Sequence, residues 1–111
     1  MTKAAIAGWA AAVLWLAAGT CQAQSPPGNP QRGLELSARL CANCHAVERN
    51  APGPVLGDVP GFPAIANRPN STPEQIAGRI IIPHPAMPGV SLTAAEIKDI
   101  VAYIVSLQRM N

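Results

Sequence analysis

In the pentapeptide Cys41-Ala42-Asn43-Cys44-His45, three reactive side chains stand at a telling spacing. On a helical turn, positions three apart share one face. Two thiols so placed can reach two vinyl groups of one porphyrin, and the imidazole one residue further on lies within reach of the iron. Two thiols at this spacing with a histidine directly after the second form the attachment signature of a c-type haem. The competing chemistries need residues that the chain lacks. A structural zinc site takes four Cys or His ligands, and outside the pentapeptide the sequence offers only Cys21 and His84. A thioredoxin-like dithiol sits beside a βαβ pattern, and no alternating strand pattern is present. A buried disulfide would leave His45 without a role.

The first 23 residues pose a separate question. Lys3 gives a short positive start, Ala4 to Gly19 is apolar and contains both tryptophans, and Thr20-Cys21-Gln22-Ala23 ends on small residues at the −3 and −1 positions. This pattern predicts a signal peptide over residues 1–23, cleaved after Ala23. A membrane anchor fits less well, because the apolar stretch is shorter than the roughly 20 residues of a bilayer span. A lipoprotein acylated at Cys21 fits poorly too, since Ala18-Gly19-Thr20 lacks the usual leucine. After cleavage Cys41 and Cys44 are the only thiols left, and two thioether bonds would consume both.

Export changes the composition. The remaining 88 residues, Gln24 to Asn111, hold only two aromatics, Phe62 and Tyr103. So small a domain is marginal on side chains alone. A covalently held porphyrin would serve as the largest apolar group in its core, and without the cofactor the chain is expected to fold poorly. Without Lys3, seven cationic side chains face six carboxylates, a net +1. No basic run suggests nucleic acid and no acidic tail suggests a solvating arm. One domain is expected over 29–111, preceded by a short mobile leader, 24–28.

The elements that must position the pentapeptide are legible in part. Asn29 and Pro30 make a helix start, cap followed by N1 proline. Gly33, Leu36, Ser37 and Leu40 then recur on one face, and the same helix runs into Cys41. From Ala51 to Pro69 there are five prolines and three glycines, a composition that predicts loop rather than element. So long an irregular stretch makes sense in a compact domain if it wraps a large cofactor. Thr72, Pro73 and Gln75 open a short helix that Pro83 forbids from continuing past Ile82. Thr93 with Glu96 makes a second capping box, and Ile97, Ile100, Val101 and Ile104 follow the 3.6-residue period.

The segment Gly33-x-x-Leu36-x-x-x-x-Cys41-x-x-Cys44-His45, the Gly53-Pro54-x-Leu56 loop, Met87-Pro88, and the helix from Leu92-Thr93 to Tyr103-x-x-x-Leu107 together resemble class I monohaem c-type cytochromes. The resemblance covers about Asn29 to Gln108. It implies an all-α small cytochrome c fold, with the N- and C-terminal helices crossing over a covalent haem c and Gly33 permitting close approach near Tyr103. It implies His45 and Met87 as the axial ligands. Among the other donors, Met110 lies one residue from the end, and His84, between Pro83 and Pro85, reads as a surface or propionate-side histidine; an open sixth position is the remaining alternative. It further suggests the Pro54 carbonyl as the partner of His45, with Leu56, Phe62 and Ile65 as pocket walls. Asn67, Arg68 and Arg79 are candidate propionate partners.

His/Met ligation raises the potential, favours electron transfer over oxygen binding and leaves no place for a substrate. With no nucleophile, acid–base pair or phosphate loop, the chain has no chemistry beyond its cofactor's. The expected function is a periplasmic one-electron carrier, serving redox partners such as a dehydrogenase or respiratory complex and a terminal oxidase or reductase. The alternatives are a haem subunit held stably by a periplasmic dehydrogenase and, if Met87 is not a ligand, a ligand-binding sensor domain.

Overall fold

A capping side chain opens each of the three longer helices. In the computed structural model, which describes residues 27–84 and 87–109, Asn29 accepts the Arg32 amide at 3.1 Å and starts α1, Pro30–Leu40. Thr72 accepts the Gln75 amide at 3.3 Å and starts α3, Pro73–Ile81. Thr93 accepts the Glu96 amide at 3.2 Å while Glu96 Oε2 takes the Thr93 amide at 2.8 Å, starting α4, Ala94–Ser106. The Thr93 amide and hydroxyl together hold the Glu96 carboxyl below the usual carboxylate range. The fourth helix, α2 (Phe62–Ala66), lies within the stretch expected to be loop. It spans five residues, too few for a period to emerge, although the Gly61-Phe62-Pro63 start follows the usual N-terminal chemistry. The described residues contain no strand, and the fold is all-α. The signal segment 1–23, most of the leader and Met110 lie outside the described residues.

The frame is the crossing of α1 over α4. A Cβ built on Gly33 would fall on the Asp99 carbonyl oxygen and come within 2.8 Å of Tyr103 Cβ. Only a residue without a side chain allows the two backbones to touch there. Gly28, expected in the mobile leader, packs just as tightly on the Lys98 carbonyl, so the packed domain includes it. Asp99, buried in α4, accepts the Asn29 amide at 2.7 Å and meets Arg32 at 3.5 Å, which ties the start of α1 to the middle of α4. Leu36, Ile100, Val101, Ile104 and Leu107 fill the seam, and each such buried side chain contributes about 1.5–3 kcal/mol.

Two further ties fix the chain beyond the pentapeptide. The buried Tyr103 hydroxyl donates to the Val47 carbonyl at 2.6 Å, and burial pushes its pKa above the ordinary phenol value, which keeps it a donor. Arg49 donates to the Ser106 carbonyl at 2.6 Å. The segment after His45 is thereby clamped along α4. Gly33→Ala tests the frame: the added methyl should destabilise the haem-loaded protein by about 1–3 kcal/mol or more, as overpacking does. An unchanged denaturation midpoint would show that the crossing is not close.

Candidate functional site

The C-terminal end of α1 passes into a single turn that carries the pentapeptide. The Cys41 and Ala42 amides both donate to the Ser37 carbonyl, at 2.8 and 3.1 Å, and the Cys44 and His45 amides donate to the Cys41 carbonyl, at 3.1 and 2.9 Å. The turn expected from the spacing is therefore present, as a continuation of α1 rather than a regular helix. Cys41 and Cys44 are half-buried and unpaired. Burial pushes the Cys41 thiol up, so it is a neutral thiol before any bond is made. Among the described residues no three His, Cys, Asp or Glu side chains converge as a metal cluster would require.

His45 is buried, and its Nδ1 lies 2.7 Å from the Pro60 carbonyl oxygen. A carbonyl can only accept, so Nδ1 carries a proton, and in the neutral ring the lone pair is on Nε2. The expected partner was the Pro54 carbonyl, and the structure corrects this. Pro54 is exposed and lines a separate hollow of about 340 Å³ together with Gly53 and Gly57. Pro60 reaches His45 because the residues just after each are paired: the Phe62 amide donates to the Ala46 carbonyl at 2.8 Å, and Gly61 lies so close to Ala46 that a Cβ would stand 3.1 Å from its methyl. Five prolines lie between Ala51 and Pro69, and nothing local distinguishes the one whose carbonyl returns to His45.

His45 opens onto a cavity of about 820 Å³. Its walls are apolar, with Phe62 and Ile65 from α2, Ile76 and Ile80 from α3, and Ile100 and Ile104 from α4. Cys41 and Met87 reach the same space, as does His84. The His45 and Phe62 rings stand 5.6 Å apart and tilted, with Tyr103 at 6.4 Å behind Phe62, an aromatic row at favourable spacing. Leu56, expected as a wall, is 54% exposed and takes no part. Asn67 is also occupied elsewhere: its side-chain amide donates to the carbonyls of Pro63 and Leu107, and its oxygen accepts the Arg109 amide at 2.8 Å. Arg68 and Arg79 do stand at the cavity, and each is solvent-exposed there.

This space fits a porphyrin on its own chemistry. Its volume is in the range of cofactor pockets, about 300–1,000 Å³. Apolar walls, a thiol and an imidazole with an unused lone pair all face it, and two exposed guanidinium groups border it, able to meet acidic substituents. Residues 28–104 match the model of the family described as cytochrome c oxidase, cbb3-type, subunit III. The chain belongs to this cytochrome c family. It is a monohaem c-type cytochrome, an electron-transfer protein rather than an enzyme, and its cofactor is covalently bound haem c. It is similar to a cytochrome c-552 of Bradyrhizobium diazoefficiens, 37% identical over 95 residues that cover 86% of this chain and 90% of the relative. No solved structure matches it.

A hydrogen-bond partner on one ring nitrogen raises the basicity of the other, so the Pro60 carbonyl makes His45 Nε2 the stronger donor toward any iron it meets. Gly61→Val should push the Pro60–Phe62 segment away from Ala46 and weaken that bond. A less basic imidazole stabilises ferric iron less, so the reduction potential should rise by tens of millivolts, where about 59 mV is a tenfold change for one electron. Electrochemical titration that finds the potential unmoved would separate Pro60 from any tuning role.

Proposed function

We propose that the haem is bonded through thioethers to Cys41 and Cys44, with His45 Nε2 and the Met87 thioether as axial ligands, and that the protein is a periplasmic one-electron carrier. The observation that carries this reading is the convergence of Cys41, His45 and Met87 on one apolar cavity, with Pro60 leaving only Nε2 of His45 free. When bound, the haem supplies the one-electron chemistry, cycling between ferric and ferrous iron. The chain does the rest. The Pro60 carbonyl holds the His45 proton at Nδ1 and fixes the ring; the α1 turn holds the two thiols; the isoleucines exclude water. With the His45 ring braced by Pro60, its ligation would change little between redox states, which suits rapid transfer.

Export supports the periplasmic assignment, through the signal pattern that ends at Ala23. Among the described residues no helix is long and apolar enough to cross a membrane. The intact mass of protein recovered from the periplasm should equal that of a chain starting at Gln24 plus one haem. A mass retaining residues 1–23 would refute cleavage.

Met87 is tested by Met87→Ala. The weak far-red ferric band of methionine ligation should be present in the wild type and lost in the variant. The reduction potential should fall by a tenth or more of the roughly 0.8 V range that axial ligands span. An unchanged spectrum would refute the assignment.

A second reading, the haem subunit of a larger oxidoreductase, is favoured by Ile81 and Ile82, 62% and 75% exposed at the end of α3, and by the subunit named in the family description. A partner that stays with the native protein through gel filtration would decide for the subunit, and a monomer for the free carrier.

A further inference from the structure

We propose that His84 is a second axial donor, which takes the sixth position on the iron when the Met87 thioether is lost. The inference rests on the assignment of Met87 as an axial ligand. Its starting point is the placement of two imidazoles. The His84 ring faces the His45 ring across the cavity, with centroids 6.4 Å apart and planes at 72°. Imidazole nitrogens bind first-row metals at about 2.0–2.1 Å, so two rings on opposite sides of one ion have centroids roughly 6 Å apart. The observed separation is that of a pair able to share an ion.

The rest of the surroundings agree. His84 is half-buried, yet no hydrogen bond or ion pair to its ring exists among the described residues, so nothing there holds it away from the cavity. The Met87 amide donates to the His84 carbonyl at 3.0 Å. That bond puts the two donors close together along the chain, so exchanging one for the other does not require the domain to unfold.

Oxidation is one way the thioether would be lost. Hydrogen peroxide transfers one oxygen to the Met87 sulfur; the O–O bond breaks, the sulfur is oxidised by two electrons, and the peroxide leaves as water. The product sulfoxide is polar and chiral, unlike the apolar thioether it replaces. Imidazole is also the harder donor of the two. A protein so altered would keep both axial positions filled and exclude gases and peroxide from the iron, at the expense of its potential.

The test compares haem-loaded wild type, Met87→Ala, His84→Ala and the double variant by optical spectrum and carbon monoxide binding. Met87→Ala should stay low-spin without the far-red band and bind carbon monoxide slowly. Met87→Ala/His84→Ala should be high-spin and bind the gas at least tenfold faster, and free imidazole should restore its low-spin spectrum, showing an intact pocket. Wild type oxidised at Met87 with hydrogen peroxide should match Met87→Ala. If Met87→Ala is already high-spin and binds the gas as fast as the double variant, His84 is not a donor and the proposal fails, with Met87 untouched. If instead His84→Ala alone alters the resting spectrum and Met87→Ala does not, the Met87 assignment fails, and the exchange with it.

Discussion

Two backbones touch where α1 crosses α4, and the rest of the domain is arranged by that contact. Gly33 lies on the Asp99 carbonyl, and Gly28 lies on that of Lys98 one residue earlier along α4. Because the helices meet without side chains between them, the direction of α1 is fixed, and so is the point at which it delivers Cys41. The buried carboxylate of Asp99 reinforces the crossing by taking the Asn29 amide, a charge-assisted bond at the very start of α1. The isoleucines of α4 that lie beyond the crossing, Ile100 and Ile104, become the floor of the cavity.

That floor explains how so few aromatics suffice. A domain of this size buries only about 60% of the surface its unfolded chain exposes, and here a cavity of about 820 Å³ occupies the middle of it. The polypeptide supplies a shell. Its ties are mostly single hydrogen bonds between side chain and backbone over long sequence separations: Tyr103 to Val47, Asn67 to Leu107, His45 to Pro60. Each is worth about 0.5–1.5 kcal/mol net, which is enough to orient segments but not to replace a core. The covalent haem c of this family is a large apolar group, and the apolar walls of this space suit such a group.

The same hydrogen bonds link stability to redox chemistry. Pro60 is held near Ala46 by the Phe62 amide, and the carbonyl so placed fixes the protonation of His45. Val47, two residues beyond His45, is pinned to α4 by Tyr103. The imidazole is thus braced from both sides by groups that also hold the fold, and a ring held in this way has little freedom to move.

Much of this was legible in the sequence. The pentapeptide named its cofactor, because covalent attachment to a porphyrin demands two thiols at a fixed local spacing and an imidazole beside them. The caps at Asn29, Thr72 and Thr93 marked three of the four helices among the described residues, since capping is a contact between neighbours in the chain. Features that depend on distant segments meeting were not legible. The resemblance pointed to Pro54 as the partner of His45, yet the carbonyl belongs to Pro60, because which proline returns is set by the pairing of Ala46 with Gly61 and Phe62. Leu56 looked like a wall and is exposed; Asn67 looked like a propionate partner and is bonded instead to Pro63, Leu107 and Arg109; α2 was too short to show a period. That His84 faces His45 across the cavity was likewise invisible, because a through-space distance between two imidazoles 39 residues apart has no local signature. Local stereochemistry determined the attachment chemistry and the helix starts, and tertiary packing alone decided which backbone and side-chain groups surround the iron site.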